Sequence, residues 1–109
     1  MIGLIDLDFQ TSASLVPNLE IMKLGTYLTL EENKYCKLIN LDEIDLEGYS
    51  KIYIFSEAES LPAIPSNVLS LSNVIYGGTA FTNGIYVPFK NSLIDYTMPK
   101  VAIYNRILQ

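Results

Sequence analysis

Ile2-Gly3-Leu4-Ile5-Asp6-Leu7-Asp8 is the stretch on which the fold turns. Four aliphatic residues, Ile2, Leu4, Ile5 and Leu7, fall in seven positions without strict alternation. Alternation marks a strand with one wet face. A short continuous apolar run reads instead as a strand buried on both faces, the pattern of a parallel sheet. Lys51-Ile52-Tyr53-Ile54-Phe55 repeats the pattern, and Asn73-Val74-Ile75-Tyr76 is a shorter copy that stops at Gly77-Gly78. Tyr35-Cys36-Lys37-Leu38-Ile39 is less uniformly apolar, as suits a strand nearer a sheet edge. Four strands are expected.

The connections support the same architecture. Pro17-Asn18 opens the best helix, with Asn18 as cap and Glu20 favourably placed in the first turn. Ile21, Leu24 and Leu28 recur at helical spacing, and Gly25 permits close approach to the sheet. The helix is expected to end near Glu32, with Asn33 suited to a left-handed exit. Strand, helix, strand is then a crossover unit. Residues 41–48 hold one short helical turn, and Pro62 and Pro65 limit the next connection to two turns over 65–71. Ile85-Tyr86-Val87 and Val101-Ala102-Ile103-Tyr104 are strand-like, and the C-terminal segment is a candidate fifth strand. The whole reads as one α/β domain over residues 1–109. It is a three-layer, flavodoxin-like (Rossmann-like) open parallel sheet of strand order 2-1-3-4. Residues 1–80 form its core, and 81–109 an extension or a linker towards a further domain.

Composition bounds the chemistry. At 109 residues the chain is one domain, half hydrophobic and 17% charged, which excludes intrinsic disorder. A net charge of −5 argues against a nucleic-acid surface. The absence of histidine excludes imidazole bases and histidine metal ligands, and the single Cys36 excludes disulfides and multi-cysteine metal sites. Charge is uneven: residues 1–59 carry 11 acids and 4 bases, whereas 60–89 carry no charge at all. Prolines and glycines interrupt that neutral run, so it is no membrane span. Met1-Ile2-Gly3-Leu4-Ile5-Asp6 shows neither a basic n-region nor a small-residue cleavage site, so a cytoplasmic chain is expected.

In open α/β sheets, ligands sit beyond the carboxyl ends of the strands, where the strand order reverses. That places Asp8, Ser12, Ser56, Gly77, Gly78 and Thr79 around a candidate cofactor crevice, with Asp6, Phe9 and Glu57 beside it. Asp6 and Asp8, two apart, are expected on one face of the first strand, a pair able to hold Mg²⁺ as in phosphoryl-transfer receivers. A receiver also needs an aspartate where this chain has Ser56-Glu57, so the plainer reading is that Asp8 orders the following loop. The hydroxyl-rich loop after Asp8 precedes a helix start, where an anion would meet free N–H groups, but it holds no glycine. Gly77-Gly78 permits either a flat ligand or a plain turn. Cys36 reads as a small buried hydrophobe, and the eight tyrosines as packing residues.

Gly3-Leu4-Ile5-Asp6-Leu7-Asp8, Pro17-Asn18-Leu19-Glu20-Ile21-Met22-Lys23-Leu24, Lys51-Ile52-Tyr53-Ile54 and Val74-Ile75-Tyr76-Gly77-Gly78-Thr79 together carry a resemblance. Over residues 2–80 the chain resembles the cobalamin-binding-like N-terminal domain of bacterial and phage radical S-adenosylmethionine proteins. The Pro-Asn-Leu helix start and the Gly-Gly-Thr are its most specific marks. The resemblance implies a flavodoxin-like fold and a neighbouring catalytic barrel with a CxxxCxxC cluster motif, which this chain does not contain. Asp6-Leu7-Asp8-Phe9 stands where histidine-on cobalamin binders have Asp-x-His-x-x-Gly, so the resemblance implies a site degenerate for that mode, while a histidine-off mode, which needs no histidine, stays open. The resemblance therefore implies a non-catalytic accessory domain docking on a radical S-adenosylmethionine catalytic domain or another protein, through the neutral stretch 60–89, with self-association as a related expectation. The alternative is a small-ligand or nucleotide-binding module using the crevice.

Overall fold

The computed structural model describes residues 1–11, 18–42, 46–58, 63–81 and 100–107. Its centre is a four-stranded parallel sheet: β1 (Ile2–Asp6), β2 (Cys36–Leu38), β3 (Lys51–Phe55) and β4 (Val74–Gly77), in the order β2-β1-β3-β4. The sheet is flavodoxin-like, with the strand order expected. β1 lies in the middle, with Leu4 paired to Leu38 on one side and to Tyr53 on the other. All five of its residues are buried, which is why its sequence does not alternate. β2 is short and half-exposed, as an edge strand is.

Helices cover both faces. α1 (Leu7–Gln10) follows β1 directly, and α2 (Leu19–Leu30) precedes β2. α3 (Ser66–Leu69) lies between β3 and β4, and α4 (Val101–Ile107) closes the described chain. One apolar layer joins Ile2, Leu4, Tyr53 and Phe55 of the sheet to Ile21, Leu24 and Leu28 of α2 and Ile107 of α4. The other joins Ile5, Ile52, Ile54 and Tyr76 to Leu7, Ile39, Leu46, Val68, Ala80 and Phe81. Each fully buried aliphatic side chain contributes about 1.5–3 kcal/mol. The described part of the neutral stretch thus fills this domain's own core through Val68, Tyr76, Ala80 and Phe81, while Pro65, Ser66, Asn67 and Leu69 are exposed.

The start of α2 follows its sequence signals. Asn18 caps it, its Oδ1 accepting from Ile21 N at 3.1 Å, and Glu20 lies in the first turn. The helix stops at Leu30, two residues short of Glu32. Asn33 then takes φ 52° and lets Lys34 N donate to Leu28 O, an exit that closes an otherwise unpaired carbonyl. The short turns expected over 41–48 and 65–71 are a 3-10 turn at Leu46–Gly48 and α3.

Two expectations are corrected. β1 ends at Asp6 and not at Asp8, because Asp6 caps α1 and the chain turns helical there, so Asp6 and Asp8 do not share a strand face. Val101-Ala102-Ile103-Tyr104 is helical, not a strand. Its β-branched composition looked extended, but Ile103 and Ile107 fall one helical turn apart and are both buried. The candidate strand at Ile85-Tyr86-Val87 lies outside the described residues. Ile107 of α4 joins the apolar layer formed with α2. Its Cδ1 lies where it would come within 3.1 Å of a Cβ on Gly25, so Gly25 admits α4 more tightly than it admits Leu4 of β1. Thr26, buried in α2, accepts from Lys100 N at 3.1 Å and so pins the start of the same segment.

Candidate functional site

The strand order reverses between β1 and β3, and the carboxyl ends of these strands meet Asp6, Asp8 and Ser56. Asp6 is buried. Its Oδ1 accepts from Phe9 N at 3.4 Å, and its Oδ2 accepts from Asn18 N at 2.7 Å. One carboxylate therefore satisfies donors at the starts of two helices, where N–H groups are unpaired and negative charge is favoured.

Asp8, in the first turn of α1, reaches sideways across the reversal point. Ser56 Oγ donates to its Oδ1 at 2.7 Å, and Glu57 N donates to its Oδ2 at 2.7 Å. The Ser56 hydroxyl, fully buried, also accepts from Ala58 N at 3.2 Å. On the other flank of α1, the Gln10 amide donates to Ile39 O and accepts from Leu41 N at 3.2 Å, as a backbone unit of an extra strand would. α1 thus ties the carboxyl end of β1 to the residues following both neighbouring strands.

Gly77 and Gly78 are held by the protein itself. A Cβ on Gly77 would stand 2.8 Å from Cε2 of Phe55, its register partner on β3. Gly78 takes φ 98°, and a Cβ there would stand 2.1 Å from the Ser56 carbonyl oxygen. Only glycine fits that position. The carbonyl in turn accepts from Ala80 N at 3.1 Å, while Ser56 N donates to Gly77 O at 3.1 Å. Thr79 begins the 3-10 turn Thr79–Phe81, which leads into the opposite core layer.

Of the residues placed at the crevice from sequence, the structure brings together Asp8, Ser56, Gly77 and Gly78, with the backbone of Thr79 alongside. Ser12 lies outside the described residues. The assembled group is a self-satisfied polar network. Ser56 and Asp8 make a hydroxyl–carboxylate pair, but a carboxylate is a weak base for an alcohol, and among the described residues no third side chain is recorded orienting the two for attack. Among the described residues no three of Asp, Glu and Cys come together to hold a metal ion. Sequence reasoning missed Gln10 and the role of Asp6. Their signal was faint: single polar side chains whose partners, at residues 39–41 and 18, only the fold brings near.

At the amino end of the sheet lies a second concavity, of about 640 Å³, lined by Thr29, Asn33, Lys34, Tyr35, Cys36, Arg106 and Ile107. Burial pushes the Cys36 thiol up to about 11, partly offset by a hydrogen bond with Thr29 and by the charge of the N-terminus. Burial likewise raises the Tyr53 phenol, with the Glu32 carboxylate adding to it. Cys36 is therefore a packing thiol, half-buried between α2 and the sheet. Among the described residues, no helix is long and apolar enough to cross a membrane. No protein-family model matches the chain, and neither a curated protein nor a solved structure matches it.

Proposed function

We propose that this chain is a non-catalytic accessory domain. It packs on a radical S-adenosylmethionine catalytic domain, in the manner of the N-terminal domains it resembles, and its own crevice is degenerate for cobalamin. The observation that supports this reading is the Asp8 carboxylate spanning the reversal point, each oxygen taken by a donor from the end of β3. A cofactor entering there would have to break two hydrogen bonds to a charged group, each worth about 1.5–3 kcal/mol. The negative charges of half-buried Asp8 and exposed Glu57 also repel a phosphate-bearing tail. The uncharged outer side of α3, with Leu69 exposed among serine and asparagine, suits a partner surface, because interface cores are depleted of charge.

Two measurements test the reading. Titration with hydroxocobalamin, followed by its visible spectrum, is expected to show no binding in the micromolar range. Micromolar affinity with replacement of the lower axial ligand by a protein group would overturn the degenerate site and favour the ligand-binding alternative. Sedimentation of the chain mixed with a radical S-adenosylmethionine catalytic domain is expected to show a complex, weakened by Leu69→Lys. Independent sedimentation of the two overturns the docking role.

A further inference from the structure

We infer that the cleft at the amino end of the sheet binds a small organic anion of mononucleotide size, one carrying a phosphate or carboxylate on a flat ring. Its volume of about 640 Å³ falls within the range of small-molecule sites, roughly 300–1,000 Å³. Its seven lining residues include two cations and no acid, in a chain whose net charge is −5. The cations come from separate elements: Lys34 from the exit of α2, Arg106 from the last turn of α4. Neither is held by a carboxylate among the described residues, so both guanidinium and ammonium are available to an anion.

The frame is set before any ligand arrives. The left-handed Asn33 and the Lys34 N–H to Leu28 O bond at 2.8 Å fix the Lys34 backbone. Tyr35 O accepts from Ile2 N at 2.8 Å, which ties the next residue to the sheet while its side chain stays 82% exposed. An aromatic ring so exposed beside two cations offers a face for a flat ligand, with Ile107 and Cys36 forming the apolar floor. Thr29 and Asn33 supply polar groups for orientation. The nearby acids Glu31 and Glu32 sit on the α2 exit outside the lining, and Glu32 acts on Tyr27 and Tyr53. This site is at the opposite end of the sheet from Asp8, and its existence does not depend on the accessory role proposed above.

The test is a titration of the full chain with AMP, adenosine and inorganic phosphate in parallel, followed by amide chemical shifts. AMP is expected to move the amides of residues 29–36 and 102–107 and to bind at least about tenfold more tightly than either fragment, since charge and ring both contribute. Lys34→Gln with Arg106→Gln is expected to weaken AMP about tenfold while leaving the unfolding midpoint in place, because both side chains are exposed. AMP no tighter than adenosine or phosphate overturns the inference. So does an unchanged affinity in the double variant, or shifts centred on Asp8, Ser56 and Gly78. The last outcome would point to the crevice at the other end.

Discussion

Asp6 and Asn18 are joined at 2.7 Å, the backbone N–H of Asn18 donating to a carboxylate that is itself 2% exposed. The bond carries the chain from the end of β1 to the cap of α2, across a sequence separation of twelve residues. It makes the start of the principal helix dependent on the end of the central strand.

Asp6→Ala removes the acceptor for Asn18 N and Phe9 N together and leaves both partly buried donors unpaired. A loss of about 2–3 kcal/mol is expected in urea unfolding at neutral pH. A loss below about 0.5 kcal/mol would show that water replaces the carboxylate.

Asp8 and Ser56 should prove coupled. Asp8→Asn and Ser56→Ala are each expected to cost about 1–2 kcal/mol, and the double variant less than their sum by about 1 kcal/mol. A double-mutant cycle by denaturant unfolding measures this directly. Strict additivity would mean that the 2.7 Å bond contributes nothing to stability.

Gly78→Ala is expected to be the most damaging glycine-to-alanine change among the described residues. It strains a backbone at φ 98° and drives a Cβ against the Ser56 carbonyl, which is itself engaged with Ala80 N. A cost of about 3 kcal/mol or more is expected, read as a lowered thermal midpoint.

Ile107→Ala tests whether α4 belongs to the domain. Ile107 is buried against α2 in the main core, so truncation is expected to cost about 2–4 kcal/mol in a single cooperative transition. A change within about 0.5 kcal/mol would demote α4 to a linker docked without consequence.

Cys36 should alkylate slowly at pH 8 in the folded chain, about tenfold or more below a free thiol, and at ordinary rates in urea. Because burial raises its folded value from 9.0 to about 11, the folded state holds the proton that the unfolded state loses first. Its contribution is therefore fully present below pH 9 and lost as pH rises towards 11. Tyr53, raised in the same direction, adds a further loss above pH 10. Stability measured from pH 8 to 11 should fall, and Cys36→Ser should remove the earlier part of the fall.

Much of the architecture was legible in the residues. The non-alternating runs at 2–6 and 51–55 identified strands buried on both faces, because apolar side chains at consecutive positions have nowhere else to go in a sheet. Asn18 and Asn33 marked the ends of α2 for local reasons, one through a capping side chain and the other through its tolerance of positive φ. Val101-Ala102-Ile103-Tyr104 misled for the opposite reason. Its propensity is extended, and packing of Ile107 against α2, with Lys100 N held by Thr26, favours a helix there.

The candidate site divides along the same line. Sequence alone placed Asp8, Ser56, Gly77 and Gly78 near the carboxyl ends of the strands, from the apolar runs at 2–7, 51–55 and 73–76 and the order 2-1-3-4 expected of an open α/β sheet. It also determined that no imidazole chemistry operates here, because the chain holds no histidine. Only the tertiary structure decided that the Asp8 carboxylate turns onto Ser56 and Glu57, that Gly78 packs on the Ser56 carbonyl, and that Lys34 and Arg106 face one cleft. A hydrogen bond spanning 48 residues leaves no periodic trace in a single chain, because its partners need only a compatible donor and acceptor. What brings them together is the register of β1 on β3, set by hydrophobic burial elsewhere in the sheet.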